Sequence, residues 1–456
     1  MPEKNIIYIV HCVDTEGPLY ESVDATFERI KNTFCLEFKA SQEQLSRIKR
    51  GEDLPENLKD KVQEFVSDKG LSYNSTWGKL DKMLDEIMST DWRIRYCDDF
   101  ERDYIFNWFI VDHVGYKTNP RRRALGYNVV FEHYLEKLRE FPAIKDALYW
   151  HYHPTSFFFE AHKTSNNFSY SNEHLKILSH RIIDHLYFPA AFRPGSNTER
   201  PDINLFLEQW IPFDYGNHGM PKKIEDKLQK NLCEGRTGDW RRATSEWEIY
   251  HPDFYDYQKK GDMKRFICRC LNVSSRVRSI TRNEIARAFQ RALEKPTILS
   301  ITNHDQREMR DDIDWFMKSV REEQEKYPQV RIRHENAIDA VRKTYPLPSE
   351  VPTILKFCWE DKRLLVRADK KIWGPQPFLC FKTRDLRYLY ENFDFQEELS
   401  WSFVFDRETV ELEQLEAIGV ATNDNYGNTS VYRLSPDRDL EKTWKNFLNC
   451  PSPLLS

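Results

Sequence analysis

Two acidic residues come directly after the first apolar stretch of the chain. Residues 6–10 read I-I-Y-I-V, and Asp14 and Glu16 follow before the turn-forming pair Gly17-Pro18. An apolar run without polar alternation is typical of a strand that is buried on both faces, as in parallel sheets flanked by helices. Side chains two apart in a strand point to the same side, so the two carboxylates should converge. They could do chemistry together at a strand end, or they could simply cap the next helix.

Three later apolar stretches also end in polar residues suited to chemistry. In chain order they end in His151 and His153, in Arg193, and in His304 and Asp305. The two histidines are again two apart, a spacing that on a strand suits metal binding. Active sites of parallel α/β folds lie at the C-terminal ends of the strands. Four strand ends carrying an acid pair, a histidine pair, an arginine and a late histidine therefore predict one catalytic site.

The order of these motifs resembles that of the polysaccharide deacetylase family, the NodB-homology group of carbohydrate esterase family 4. The resemblance covers residues 5–345 as short motifs, including the Arg-Pro-Gly motif at residues 193–195. The commonest family pattern has adjacent aspartates and histidines four apart, whereas Thr15 and Tyr152 separate the two pairs here. The family implies a distorted (β/α) barrel that hydrolyses N-acetyl groups on sugars with a bound divalent metal, usually zinc.

The resemblance also implies an acid and a base on different strands. By resemblance, Asp14 is the catalytic base and Arg193 is the arginine that orients it. His304 is the general acid that protonates the departing amine, and Asp305 is a candidate to orient His304. A carboxylate kept ionised by an arginine and a protonated imidazole are suited to these two tasks.

The same resemblance makes Glu16, His151 and His153 the metal ligands. One carboxylate and two neutral imidazoles leave a zinc ion with net positive charge and with an open position for water, which is the catalytic arrangement. Such an ion lowers the pKa of the water and polarises the amide carbonyl. We therefore expect one divalent metal ion as the cofactor, with zinc as the first choice.

Residues just beyond another predicted strand are candidates for substrate binding. Asp112 and His113 follow an apolar stretch, and they could line the pocket or simply end the strand. The loop after them contains Arg121, Arg122 and Arg123. Clustered cations suit a phosphate group. The alternative is a solvated charged face, which is the more common role of such runs.

An aromatic-rich region, residues 214–276, is predicted to form a lid over the site. It contains Tyr215 and Trp247, together with other aromatic residues mixed with Asn, Asp and Arg. Sugars have apolar faces with polar rims, which such a mixture of rings and polar groups can bind. The alternative is that the rings form the apolar core of the lid itself.

Strand and helix patterns alternate through residues 1–345, which predicts a (β/α) barrel of the polysaccharide deacetylase type as the catalytic domain. No glycine-rich phosphate loop occurs, which argues against an open nucleotide-binding sheet. A charged helical insertion is predicted at residues 36–103. After a proline-rich break, short strand patterns in residues 346–456 predict a small β-rich accessory domain. This domain could bind glycan or a second subunit, or it could only cover the barrel.

The composition argues against several classes of protein. The 456-residue chain has a formal net charge of −5 with acids and bases interspersed, which is unlike a nucleic-acid binder. No run of ~18 apolar residues occurs, so no membrane span is expected. Nine cysteines without regular spacing suggest reduced thiols, and a signal peptide is not expected before the first strand. We therefore expect a cytoplasmic protein, and the sequence leaves its oligomeric state open.

One function and two alternatives follow. The expected function is a metal-dependent hydrolase that removes an acetyl or formyl group from an N-acylated amino sugar. Because the expected location is cytoplasmic, the substrate is expected to be a nucleotide- or lipid-linked glycan precursor of a surface polysaccharide, such as lipopolysaccharide O-antigen. The alternatives are hydrolysis of another linear or cyclic amide C–N bond, and a catalytically silent carbohydrate-binding protein with the same fold.

Overall fold

The structure is a computed structural model that describes most of the chain. The described residues are 4–142, 145–161, 167–222, 238–273, 278–348 and 350–448. Residues 223–237 and 274–276 of the predicted lid lie outside them.

Seven parallel strands form a closed barrel. They are β1 (Ile6–Thr15), β2 (Phe106–Val111), β3 (Ala147–Tyr152), β4 (Ala191–Pro194), β5 (Phe213–Asn217), β6 (Phe266–Asn272) and β7 (Thr297–His304). One edge of β1 pairs with β7, and the C-terminal half of its other edge pairs with β2, which closes the barrel. The N-terminal half of that edge pairs with an eighth parallel strand, β8 (Arg331–His334). The predicted α/β barrel is therefore confirmed.

Helices surround this barrel. In chain order they are α1 (Val23–Phe34), α2 (Gln42–Lys49), α3 (Lys59–Val66), α4 (Trp77–Met88), α5 (Thr90–Arg93), α6 (Val129–Glu140), α7 (Glu173–His185), α8 (Pro201–Trp210), α9 (Arg282–Ala292), α10 (Arg310–Gln324) and α11 (Ala337–Thr344). Helices α2 to α5 lie within the predicted insertion, and α1 to α3 share a small apolar core of their own. Thr281 caps α9, because its side-chain oxygen accepts the backbone N–H of Glu284. Among the described helices, none is both long and apolar enough to span a membrane.

Alternate residues of each strand fill the interior of the barrel. On β1 the interior residues are Ile6, Tyr8, Val10 and Cys12, on β3 Tyr149, on β4 Ala191, and on β7 Ile298. Because the side-chain period of a strand is two, the same series continues upward to the predicted site residues. On β1 it leads to Asp14, and on β3 to His151. The fold thus directs both side chains to the C-terminal mouth of the barrel.

Two antiparallel sheets follow the barrel, which confirms the predicted β-rich character of this region. The first contains β9 (Leu355–Glu360), β10 (Arg363–Ala368), β13 (Asp394–Glu397) and β14 (Ser400–Val404). The second contains β11 (Phe378–Thr383), β12 (Tyr388–Glu391), β15 (Leu415–Asn423), β16 (Thr429–Leu434) and β17 (Trp444–Leu448). Both sheets contribute side chains to one apolar core between them.

The second of these sheets also packs against the barrel helices. On β11, Leu379 and Phe381 face the core between the sheets, whereas Phe378 and Cys380 face α7 and α8. The ring centroids of Phe378 and Trp210 lie 5.1 Å apart in an edge-to-face contact. This alternation explains why the strand is apolar on both faces.

Gly419 on β15 is predicted to be essential for the packing of this sheet on α7. A Cβ atom at Gly419 would lie 2.6 Å from Sγ of Cys380 and 2.7 Å from Cγ2 of Ile182. Gly419→Val should therefore overpack the contact and lower the free energy of unfolding by about 1–3 kcal/mol. The measurement is urea unfolding followed by circular dichroism.

The matched control is Gly78→Ala on α4, where nothing lies within 4 Å of the added Cβ atom. An alanine in an exposed helix should be neutral or stabilising, by up to about 1 kcal/mol. Equal unfolding midpoints for Gly419→Val and the unmodified protein would show that the neighbouring side chains accommodate the valine without loss of stability.

Candidate metal and catalytic site

The structure brings the residues of the predicted catalytic and metal site together at the C-terminal mouth of the barrel. These residues come from the ends of β1, β3, β4 and β7, and they are Asp14, Glu16, His151, His153, Arg193 and His304. His304 Nε2 lies 4.0 Å from a carboxylate oxygen of Asp14 and 4.0 Å from one of Glu16. The two-residue spacing of the acids and of the histidines produces this convergence, because both members of each pair continue an inward-facing series.

A buried ion pair joins Asp14 to Arg193. Arg193 donates from Nε to Oδ1 of Asp14 at 2.6 Å and from Nη2 to Oδ2 at 3.0 Å, and Thr302 Oγ1 donates to Oδ2 at 3.2 Å. Arg193 also donates from Nη1 to the carbonyl oxygen of Tyr215 at 2.5 Å. Burial alone would raise the pKa of Asp14, but the charge of Arg193 and its hydrogen bonds hold that pKa well below its usual range. Asp14 is therefore an ionised carboxylate in a fixed orientation.

Glu16, His151 and His153 form a compact group that could hold a metal ion, and we call these three residues the metal group. The two Nε2 atoms of the histidines lie 2.9 Å apart. Oε1 of Glu16 lies 3.4 Å from Nε2 of His153 and 3.9 Å from Nε2 of His151. Ligands placed tetrahedrally at ~2.0–2.1 Å from a zinc ion are ~3.3 Å apart. The spacing of these three atoms therefore fits one such ion.

Both histidines of this group are in the neutral form that binds metals. His151 Nδ1 lies 3.1 Å from the carbonyl oxygen of Arg193, which can only accept, so Nδ1 carries the proton and Nε2 presents its lone pair to the group. Burial lowers the pKa of His151 to about 3. Burial, assisted by the charge of Arg123, lowers the pKa of His153 to about 3. The donor set is thus two neutral imidazoles and one carboxylate oxygen, which suits zinc.

Arg123 contacts the other oxygen of Glu16. Its Nη1 atom forms an ion pair with Oε2, which leaves Oε1 facing the two histidines. The other two arginines of the predicted cluster have different partners. Arg121 pairs with Glu21 at 2.7 Å, and the guanidinium of Arg122 lies 4.6 Å from the ring centroid of Tyr20. Of the three arginines, the structure therefore brings Arg123 to the metal group.

Asp305 supports the turn that carries Glu16. Its Oδ1 accepts the backbone N–H of Glu16 at 2.7 Å, and its Oδ2 accepts the N–H of Gly17 and the hydroxyl of Tyr134, both at 2.9 Å. Since neighbouring residues of an extended chain point to opposite sides, Asp305 faces away from the side of His304. Sequence reasoning considered Asp305 only as a partner of His304, and the structure places it behind the metal group.

Asp305→Ala is predicted to weaken metal binding. The substitution leaves the buried amides of Glu16 and Gly17 without their acceptor, so the Glu16 carboxylate loses its fixed position. Supporting residues of this kind typically contribute 10–100-fold to metal affinity, and we expect a loss of about that size. Competition with a zinc-sensitive dye measures it.

Tyr134→Phe is the matched control for this variant. It removes one donor to Asp305 but keeps the amides of Glu16 and Gly17 bonded, so the metal affinity should change less. A dissociation constant for Asp305→Ala equal to that of the unmodified protein would show that the turn holds its shape without the carboxylate.

The pair Asp112 and His113 is divided between two faces of β2. Asp112 faces outward and forms an ion pair with Arg181 on α7, while burial raises its pKa to about 6. His113 continues the inward series, is 2% exposed, and has no hydrogen-bond partner on either ring nitrogen among the described residues. Burial, followed by an electrostatic interaction with His153, lowers the pKa of His113 to about 3. The structure therefore brings His113, and not Asp112, towards the metal group.

The two aromatic candidates are built into packed regions. Tyr215 is buried in the barrel interior and donates from its hydroxyl to the carbonyl oxygen of Ala337 at 2.6 Å. Trp247 donates from Nε1 to the carbonyl oxygen of Glu284 at 2.8 Å and lines a cavity of about 200 Å³. Residues around the N-terminal ends of β6 and β7 line the same cavity, so Trp247 lies away from the metal group. Three other rings of the predicted lid, Trp240, Tyr250 and Tyr257, form a small apolar core.

Sequence reasoning missed His218. It lies directly after β5, is completely buried, and is close enough to Arg193 and Asp14 for their charges to act on its pKa. A histidine after a short apolar strand is the same signal that marks His304. The glycine at position 216 and the shortness of the strand obscured it.

Comparisons of the chain with protein-family models and with curated proteins find no match. The site is therefore defined by its own geometry. It combines a fixed carboxylate, a two-histidine and one-glutamate group, and a third histidine within 4.0 Å of both acids. That combination, at the C-terminal mouth of a parallel barrel, is typical of metal-assisted hydrolysis.

Proposed function

We propose that this chain is a metal-dependent hydrolase of the polysaccharide deacetylase type, which removes an acetyl or formyl group from the nitrogen of an amino sugar. The observation that carries the proposal is the position of the buried pair of Asp14 and Arg193 beside the group that could hold a metal ion. A base, a set of metal ligands and an acid are the parts that amide hydrolysis needs. The order of the motifs, which resembles that family, supports the same reaction.

Each residue has one task in this reaction. When bound, a zinc or similar ion lowers the pKa of a water molecule and polarises the acyl carbonyl. Asp14 takes the proton of the attacking water, and Arg193 keeps Asp14 ionised and oriented. As the C–N bond breaks, His304 gives its proton to the departing amine. Because Arg193 makes Asp14 a weak base, a metal ion held by Glu16, His151 and His153 would supply the more acidic water that Asp14 can deprotonate.

The proposed substrate is a nucleotide-linked or lipid-linked glycan precursor, processed in the cytoplasm during assembly of a surface polysaccharide such as lipopolysaccharide O-antigen. Arg123 supports this choice, because it brings a guanidinium to the edge of the metal group. A guanidinium can donate two parallel hydrogen bonds to two oxygens of one phosphate group. Such a contact would add affinity beyond that of the sugar ring.

The test is the release of acetate and formate by the zinc-loaded protein. Nucleotide-linked N-acyl sugars, free N-acetylglucosamine and chitin oligomers are compared in parallel. Arg123→Ala should raise KM for the nucleotide-linked sugars more than for the free sugar, whereas Arg122→Ala, at an exposed position, should change neither.

Two outcomes would contradict the proposal. Absence of acetate and formate from every N-acyl sugar would overturn the reaction itself. Equal turnover of chitin oligomers, unaffected by Arg123→Ala, would overturn the precursor as substrate. Metal-free hydrolysis of a cyclic amide would instead favour the alternative C–N hydrolase.

His304→Ala is predicted to keep the metal but to lower turnover. A general acid must be protonated to act, so the rate of the unmodified enzyme should fall at alkaline pH as His304 loses its proton. The variant lacks this group, so the alkaline side of its pH–rate profile should be flat. The expected loss in kcat is about 10²–10⁴-fold. If the alkaline fall persists in the variant, the general acid is another group.

A further inference from the structure

His218 is a fully buried histidine that directly follows β5. Its side chain is 0% exposed, and neither ring nitrogen has a hydrogen-bond partner among the described residues. Buried polar atoms of native proteins are almost always hydrogen-bonded, and an exception is often explained by function or by a bound molecule. His218 therefore has two hydrogen-bonding positions for which the described part of the chain offers no partner.

An irregularity in β5 sets the direction of this side chain. The pairing of β5 with β6 shifts its register between Asp214 and Asn217. In a regular strand, Tyr215 and His218 would point to opposite faces. Tyr215 faces the barrel interior. A register shift allows His218 to point to the same side, which agrees with the electrostatic interaction of its imidazole with Arg193 and Asp14. Bulges next to active sites are a common way to re-aim a side chain.

The backbone on both sides of His218 is held in place. The side-chain amide of Asn217 donates to the carbonyl oxygen of Thr244 at 3.0 Å and accepts the N–H of Gly219 at 2.7 Å. The carbonyl oxygen of Gly219 accepts from Nε of Arg269 at 2.8 Å. The imidazole is therefore presented from a rigid frame, as binding and catalytic groups require.

His218 belongs to the same buried layer as the reacting groups. The neighbouring strand β4 supplies Arg193, which donates to Tyr215 three residues before His218. Asp14 is 2% exposed and Arg193 is 0% exposed, so complete burial does not separate His218 from a substrate that reaches Asp14. The candidate metal ligands come from the ends of β1 and β3. Around the barrel only β4 separates β5 from β3, and β5 lies across the barrel from β1.

We propose that His218 is a substrate-binding residue, whose neutral imidazole donates one hydrogen bond to the amino sugar and accepts another from it. The partners are uncharged hydroxyl groups of the sugar ring. A hydroxyl can both donate and accept, as can a neutral imidazole. Asp14 and Glu16 already face Arg193 and Arg123, so the added recognition is of uncharged groups. This inference rests on the proposed function.

The main test is the kinetics of His218→Leu and His218→Asn. In the zinc-loaded protein, His218→Leu should raise KM for the best N-acyl sugar by about ten-fold or more, with a smaller change in kcat. Zinc content and the position of the pH–rate profile should not change. His218→Asn, whose amide both donates and accepts, should recover part of the loss.

Deoxy sugars identify the contact. Analogues that lack the 3-hydroxyl or the 4-hydroxyl should be poorer substrates of the unmodified enzyme, and one of them should be no poorer for His218→Leu than the parent sugar. Such a cycle isolates the pairwise interaction. If each analogue loses as much activity, relative to the parent sugar, with His218→Leu as with the unmodified enzyme, His218 does not contact these hydroxyls and the inference fails.

A second measurement does not depend on hydrolysis. N-acetylglucosamine and N-acetylgalactosamine should raise the Tm of the zinc-loaded protein but raise that of His218→Leu much less. The Tm of His218→Leu without sugar should be equal to or higher than that of the unmodified protein, because an apolar side chain replaces unpaired polar atoms. A lower Tm together with unchanged sugar binding would mean that His218 is only structural, which overturns the inference.

The two proposals can fail separately. If sugars raise the Tm through His218 but no acetate or formate is released, the proposed hydrolysis fails and the binding role stands. If N-acyl sugars are hydrolysed and His218→Leu is kinetically normal, the hydrolase stands and the role of His218 fails. If neither sugar raises the Tm and none is hydrolysed, both fail.

Discussion

Asp14→Asn is expected to abolish measurable hydrolysis while the protein still binds metal. An amide cannot accept the proton of the attacking water, and a general base typically contributes about 10²–10⁴-fold to the rate. Glu16, His151 and His153 are unchanged in this variant, so zinc content should stay near that of the unmodified protein. Zinc content and acyl release are measured on the same preparation.

This substitution also carries a cost in stability. Arg193 is fully buried, and in Asp14→Asn its charge loses the carboxylate that balances it. Breaking a buried pair by removing one partner typically costs about 3–5 kcal/mol. A shifted urea midpoint is therefore expected, and activity must be compared under conditions where the variant is folded.

Asp112→Asn is the matched control for Asp14→Asn. It also removes a buried carboxylate from an arginine, here Arg181, but on the outer face of β2. It should lose stability and keep turnover. Turnover of Asp14→Asn within ten-fold of the unmodified enzyme would show that the base lies elsewhere. Loss of zinc with retained turnover per bound ion would exchange the roles of Asp14 and Glu16.

His151→Ala and His153→Ala should each abolish metal binding. The purified protein is expected to hold about one equivalent of zinc, and two remaining ligands make too weak a site to retain it. Metal content is measured by elemental analysis after dialysis. Since burial holds the pKa of both histidines near 3, protonation should not release the metal until the pH falls towards that value.

His133→Ala is the control for these two variants. His133 lies on α6 and bonds to Asp81 at 2.7 Å, and it is not part of the group formed by Glu16, His151 and His153. This variant should keep its zinc. Full metal content in either His151→Ala or His153→Ala would show that the ligand assignment is wrong.

Much of the architecture was predictable because it depends on local periodicity. Apolar runs without alternation predicted buried parallel strands, and the change to short alternating strands after residue 346 predicted the β-rich region. The convergence of Asp14 with Glu16 follows from the same period of two, since both continue the inward series of β1. The same period also separates Asp112 from His113, although sequence reasoning treated them together.

Other features of the site depend on contacts between distant segments. Asp305 is next to His304 in sequence, but its partners are the backbone amides of Glu16 and Gly17, almost 300 residues away. Similarly, Arg121, Arg122 and Arg123 are indistinguishable in sequence. Only the position of Glu16 in the folded chain shows which of the three reaches the metal group.

The sequence by itself determined the α/β class, the β-rich C-terminal region, and the set of acids, histidines and arginine that the barrel brings together. These depend on residue type and on spacing along one strand, which the sequence states directly. Only the tertiary structure decided the partners of Asp305 and Arg123, the burial of Tyr215, and the burial of His218 near Arg193 and Asp14. Those depend on strand register, on a bulge and on packing between remote segments, and no local pattern of residues encodes them.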